Sequence, residues 1–374
     1  MHISVEEITH RWSRAQAILE DRGLDAMIVR GVPQSPEMIY LTGAWMPSHD
    51  TYFLLSRDGA NELVVRGFRP TSAEQIAGGS LTVVHEPPSR SAVPTRVIDW
   101  LAAHGAQRVG VSVGQGDTAP WVTALGQTGS KIETHSVLHD LQALRYVKSK
   151  EELEILRTSA QLADEVWDNA ADFVGPGRSP RQILGDIQHF LVSHGCDAPL
   201  DAYYGSLIVI LFPNPLLDWY RMSEPLKQGD CFSLEISPRI QGYYSQLTGA
   251  MSIGAPDPEI QRSHDSIVRA RRASLEHVRA GVDATTAAKA MCDSLAADGY
   301  GSTDGNIGHL LGLDITEPRV GNESFRFQPG MTLVAHPMLR SDRVDMLLSG
   351  ETYLVTEGEP ERLQATSLDG IRQL

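Results

Sequence analysis

The pattern of apolar residues changes character near residue 145, and that change limits the folds open to this chain more than any other feature. Before it, short strand-like runs alternate with helical ones. Ser4 and Glu7 form an S-x-x-E capping box ahead of Ile8, Trp12, Ala15 and Leu19, which predicts a helix stopped at Gly23. A strand is expected at Asp25–Val29, then a loop over residues 31–37 and another short apolar run at Met38–Leu41. Further strands are expected at Tyr52–Leu55, Glu62–Val65, Leu81–Val84 and Arg108–Val113, with a helix near Ala92–Ala103. Strands alternating with helices predict an α/β domain over residues 1–145.

After residue 145 the order differs. A second capping box, Ser149 to Glu152, opens a longer helix with an apolar face of Leu153, Leu156, Ala160, Ala163, Trp167 and Ala170, stopped at Gly175-Pro176-Gly177. Strands follow at Cys231–Ile236, Tyr243–Ile253, Thr332–His336 and Thr352–Thr356, with helices at Glu259–Ala280 and Ala284–Ala297 between them. Turn residues at Pro238–Gly242 favour antiparallel pairing, so residues 146–374 read as an α+β domain. A chain of 374 residues is long for one core, which agrees with two domains.

Charge and cysteine usage remove several function classes. The formal net charge of −15, with no basic stripe, would repel a nucleic acid backbone. No apolar run approaches the roughly 20 residues of a membrane helix, and the Met1 end lacks an apolar signal core. Cys196, Cys231 and Cys292 are odd in number and scattered, which fits buried thiols in a reducing compartment. A cytoplasmic protein with no nucleic acid or membrane partner is expected.

Six phrases then occur in order: RGLDAMIVRGVPQSPEMIYLTG at residues 22–43, LRYVKSKEELEILRTSA at 144–160, LKQGDCFSLEISPRIQGYYSQLTGAMSIG at 226–254, GHLLGLDITEP at 308–318, PGMTLVAHPM at 329–338 and GETYLVTEGEPERL at 350–363. Together they resemble the creatinase/prolidase/aminopeptidase P family. The resemblance implies an N-terminal α/β domain, a C-terminal α+β "pita-bread" domain, and a homodimer whose neighbouring subunit helps line the site. His49 and Asp50 would occupy the loop that reaches the neighbour, with an ordinary exposed loop as the alternative.

Metallopeptidases of that family place two metals on two aspartates, a histidine and two glutamates, because hard dications need several anionic oxygens. On this sequence those positions fall on Glu235, Gln246, His309, His336 and Gly350. One ligand is retained, one is a longer homologue, and the bridging carboxylates are replaced. Glu351 is one place along its strand and would face the other way. The second histidine of the peptidase phrase is Thr316. In creatinase, the metal-independent relative, the acid/base histidine would land on Asp218 and the guanidinium-binding glutamates on Thr248 and His336, so creatine hydrolysis is not expected.

The expectation from these departures is a divergent member nearer to metal-independent creatinase than to the metallopeptidases. It would be a small-molecule hydrolase or lyase, not an Xaa-Pro peptidase, with no metal cofactor. Its catalytic candidates are His309, His336, Glu235 and Asp218, since imidazoles beside a carboxylate form a usable acid/base set. Its substrate-binding candidates are Gln246, Thr248, Thr316 and Tyr243. Two alternatives stay open: a single Fe, Zn or Mn ion on Glu235, His309 and His336, and a catalytically inactive binding module.

Overall fold

The computed structural model describes residues 3–31, 35–43, 50–66, 80–87, 93–113, 119–126, 131–197, 206–213, 221–302, 304–321, 324–341, 344 and 346–374. The chain divides into two compact units, Met1–Arg145 and Tyr146–Leu374.

In the first unit, helix Val5–Arg22 starts where Ser4 Oγ accepts the Glu7 N–H at 3.1 Å and ends at Gly23 in the left-handed region. Its face of Ile8, Trp12, Ala15 and Leu19 is buried, as the spacing predicts. The strands are β1 (Ala26–Gly31), β2 (Asp50–Ser56), β3 (Asn61–Arg66), β4 (Thr82–Glu86), β5 (Arg108–Val111) and β6 (Glu133–Ser136). They form one mixed sheet in the order β4-β3-β2-β1-β5-β6. The apolar run Met38–Leu41 is not a strand. It lies in helix Pro36–Thr42, which begins on a proline at its first turn and ends at Gly43 in the left-handed region. Both sides of that helix are buried, which hides the helical period in the sequence.

The second unit opens on helix Lys150–Asp168 with the full capping box: Ser149 N–H donates to Glu152 Oε2 at 2.8 Å, and Glu152 N–H to Ser149 Oγ at 3.4 Å. Helix Pro180–Ser193, which the sequence reading passes over, carries a second such box from Ser179 to Gln182. The strands continue as β7 (Leu207–Leu211), β8 (Cys231–Ser237), β9 (Arg239–Ile240), β10 (Tyr243–Tyr244), β11 (Leu247–Ser252), β12 (Gly301–Ser302), β13 (Gly308–Leu310), β14 (Thr332–Ala335), β15 (Met338–Arg340), β16 (Leu347–Leu348), β17 (Gly350–Leu354), β18 (Glu361–Arg362) and β19 (Arg372–Gln373). The strand expected over Tyr243–Ile253 is thus interrupted at Ser245 and Gln246. Helix Pro258–Leu275 stops five residues before the expected end, and helix Ala284–Ala297 has the expected bounds.

The main sheet runs β13-β14-β17-β11-β8-β7, all antiparallel along that path, with β18 paired to β17 and β19 paired in parallel to β11. Alternation gives it two unlike faces. One carries Phe232, Leu234, Ile236, Leu247 and Met251, packed with Leu162, Val166, Ile183 and Ile187 of the helices. Leu333, Ala335 and Tyr353 pack likewise with Ile267, Ala287 and Met291. At Gly249 the Trp167 ring comes so close that a Cβ would sit 2.1 Å from Cη2. The other face carries the polar residues of the same strands, and there the candidate site forms.

Candidate active site

Pairing across the sheet decides which side chains can meet. Glu235 on β8 lies opposite Thr248 on β11, which lies opposite Gly350 on β17. Ala335 pairs with Glu351, so the next residue, His336, comes alongside Gly350. His309 pairs with Val334, two residues before His336 and so on the same face. Glu235, Gln246, Thr248, His309 and His336 therefore share the polar face, and Glu351 points the other way, as its position along the strand implies.

They form two groups. In the first, the Glu235 carboxyl is pushed up to about 7, chiefly by loss of hydration. The Gln246 and Thr248 side chains favour its charged form and oppose the shift. Gln246 and Thr248 are buried, and Glu235 is half-buried. In the second, His309 Nε2 and His336 Nε2 are 3.4 Å apart. His309 Nδ1 lies 3.1 Å from the Leu310 carbonyl. A carbonyl only accepts, so Nδ1 carries the hydrogen and His309 Nε2 is left as a lone pair toward His336. Loss of hydration lowers His309 to about 3 and His336 to about 4, so both rings are neutral at pH 7.

Two groups at the histidines escape the sequence reading. Arg319 bridges His309 in the backbone ladder, and its Nη1 lies 3.4 Å from Asp304 Oδ2. Arg319 disfavours the charged form of both imidazoles, while Asp304 favours that of His336.

Other candidates are placed elsewhere. Tyr243 is buried, and its hydroxyl donates to Glu152 Oε1 at 3.0 Å, which makes it a tie to the first helix of the unit instead of a substrate contact. Thr316 is exposed on a turn where its N–H reaches Asp314 Oδ1 at 3.4 Å. Asp218 and His49 lie outside the described residues, as does the side chain of Asp50.

The two-metal donor set implied by the resemblance does not fit these residues. Gln246 has no negative charge to bridge two cations. At Gly350 the missing carboxylate has no room, because a Cβ there would lie 1.7 Å from the Ala335 carbonyl oxygen and 2.7 Å from His336 Cα. Among the described residues no three His, Cys, Asp or Glu side chains converge as a metal site. Also among them, no helix is long and apolar enough to cross a membrane.

Comparison with known proteins gives a consistent picture. The family model for metallopeptidase family M24 matches residues 154–357, and that for the creatinase/prolidase N-terminal domain matches residues 11–147. A probable dipeptidase PepE of Mycobacterium tuberculosis is 26% identical over 352 residues, 89% of this chain and 88% of that one. An uncharacterized peptidase YqhT of Bacillus subtilis is 24% identical over 245 residues, 64% of this chain and 67% of that one. The solved Xaa-Pro dipeptidase from Bacillus anthracis matches with a TM-score of 0.83 at 19% identity, covering 98% of this chain and 100% of that one. Dipeptidase PepE from Mycobacterium ulcerans matches at 0.81 and 22%, covering all of both chains.

These findings support the two-domain pita-bread fold and correct the function drawn from the substituted ligands. A metal-independent hydrolase or lyase of the creatinase type, with a single-metal enzyme or inactive module as alternatives, is overturned by relatives and structural neighbours that are named dipeptidases and Xaa-Pro dipeptidases. Those names also count against excluding Xaa-Pro peptidase character. The expectation of no metal cofactor is overturned by the match to a metallopeptidase family. Closeness to creatinase is unsupported. The four substituted ligand positions lie within a similarity that extends over 352 residues.

Proposed function

This chain belongs to the metallopeptidase family M24, with a creatinase/prolidase N-terminal domain before it, and on that premise we propose that it hydrolyses short peptides at the polar face of its C-terminal sheet. The observation that carries the reading is the 352-residue similarity to a probable dipeptidase, which spans both domains.

Hydrolysis of a peptide bond requires a proton to leave water and one to reach the departing amine. Glu235, titrating at about 7, can exchange a proton in the neutral range. Both imidazoles remain neutral: His309, held at Nδ1 by the Leu310 carbonyl, fixes the His336 ring, and His336 keeps its Nδ1 lone pair to accept from a substrate N–H. Arg319 stands beside them as a cation able to meet a substrate carboxylate. A homodimer belongs to the same proposal, on the strength of the family resemblance.

The test is a panel of unblocked dipeptides, Xaa-Pro included, incubated with the protein in chelator and with added Mn²⁺, Co²⁺ or Zn²⁺. Release of free amino acids from at least one dipeptide is the expected result. No release under any of these conditions overturns the reading.

A further inference from the structure

A buried ion pair anchors the hairpin that follows His309. Lys148 Nζ donates to Glu317 Oε2 at 2.7 Å and to the Tyr146 carbonyl at 3.2 Å, and the Lys148 and Glu317 side chains are each 1% exposed. Lys148 is also fixed at its backbone, where its N–H donates to the Gly330 carbonyl at 2.9 Å. Glu317 closes the hairpin: its N–H donates to the Leu310 carbonyl at 2.9 Å, and the Leu310 N–H to the Pro318 carbonyl at 2.9 Å. The hairpin wraps closely on the pair, since a Cβ on Gly312 would lie 2.7 Å from Lys148 Cε and 3.1 Å from Glu317 Oε1. The Leu310 carbonyl held by Glu317 is the one that accepts from His309 Nδ1 at 3.1 Å. Its oxygen has two lone pairs, and these two donors use both.

We propose that Lys148 and Glu317 are positioning residues, whose ion pair sets the 310–317 hairpin so that the Leu310 carbonyl meets His309 Nδ1. His309 then turns the lone pair of Nε2 toward His336. A hairpin displaced by about 1 Å would lose the Nδ1 contact, because a hydrogen bond does not survive that stretch. The other tautomer would open, with one N–H facing another across the pair. Two apolar side chains of similar volume would give comparable stability at positions 148 and 317, so what the charges add is direction. The tautomer rests on these contacts alone, and any effect on turnover rests on the peptide reading above.

Nitrogen-15 NMR of histidine-labelled, chelator-treated protein at pH 7 tests this, because ring nitrogens with and without a hydrogen differ widely in shift. The His309 signals are those missing from His309→Ala. Wild-type protein is expected to show the Nδ1–H tautomer at His309, and Glu317→Gln, which keeps an oxygen acceptor for Lys148, to retain it. The double change Lys148→Met with Glu317→Leu keeps the volume without the direction, and is expected to give a mixture of tautomers at a thermal midpoint near wild type. Should that variant fail to fold, Gly312→Ala presses on the intact pair from the hairpin and is expected to give the same mixture. A wild-type tautomer in the folded double variant, or in Gly312→Ala where it takes its place, overturns the proposal, as does equal loss in Glu317→Gln and the double variant. With a dipeptide substrate, the double variant is expected to lower kcat about 10–10²-fold with KM within about twofold. No hydrolysis by wild-type protein overturns the peptide reading and leaves the tautomer result standing.

Discussion

His309 and His336 meet edge to face, with Nε2 atoms 3.4 Å apart and ring planes at 70°. Only one hydrogen can lie between the two nitrogens, and the Leu310 carbonyl at His309 Nδ1 dictates that His336 supplies it. The pair is therefore a directional unit, and each ring fixes the other's tautomer.

Replacement of either ring removes that direction. His309→Ala and His336→Ala should each lower the rate of dipeptide hydrolysis by about 10²–10⁴-fold. Thermal midpoints should move by only a few degrees, since a polar-face imidazole has fewer packing partners than a core leucine. Initial rates and melting curves of both variants check this. Wild-type rates in both would remove the pair from the site.

Glu235 links stability to pH with a defined sign. Its folded pKa, about 7, lies above its ordinary value of 4.5, so its contribution is fully present below pH 4.5 and is lost as pH rises through 7. His264 works oppositely. It is fully buried with both ring nitrogens unpaired, and loss of hydration, then Arg271, lowers it to about 4. Its contribution is present above pH 6.5 and is lost as pH falls through 4. Denaturant midpoints measured from pH 4 to 8 should show Glu235→Gln flattening the 4.5–7 decline and His264→Leu flattening the acid-side loss. Unaltered profiles would contradict both assignments.

Lys148 Nζ donates to Glu317 Oε2 at 2.7 Å with both side chains sealed from solvent. Glu317→Ala leaves a buried ammonium uncompensated and should cost about 3–5 kcal/mol. The double change Lys148→Met with Glu317→Leu should recover most of that, because no charge is left behind. Urea unfolding of the three proteins measures the difference. A double variant as unstable as the single one would show that the pair acts through more than its charges.

Two glycines are held by close approach. Gly249→Ala drives a methyl group into Trp167, and Gly350→Ala drives one into the Ala335 carbonyl. Each should cost about 1–3 kcal/mol. Trp167→Leu should relieve the first and leave the second unchanged, since a side chain can yield where a paired backbone strand does not. Thermal midpoints of the single and combined variants decide it.

Local signals carried much of the fold. The box at Ser149 and Glu152 set the start of its helix because cap and backbone lie within four residues. Gln241 and Gly242, both at positive φ, made the tight turn expected over Pro238–Gly242. The alternation in Cys231–Ser237 put Phe232, Leu234 and Ile236 on the helix side and Glu235 on the other. The family phrases marked His309 and His336 as partners. What tertiary structure alone decided was register and crowding. Pairing of β11 with β8 placed Thr248 beside Glu235, and pairing of β14 with β17 filled the space where position 350 would otherwise project. The break at Ser245 took Tyr243 off the polar sheet face and onto Glu152. A strand's period names the face of each residue within the strand, but the partner across the ladder is set by contacts a hundred residues away. No local pattern encodes those distances.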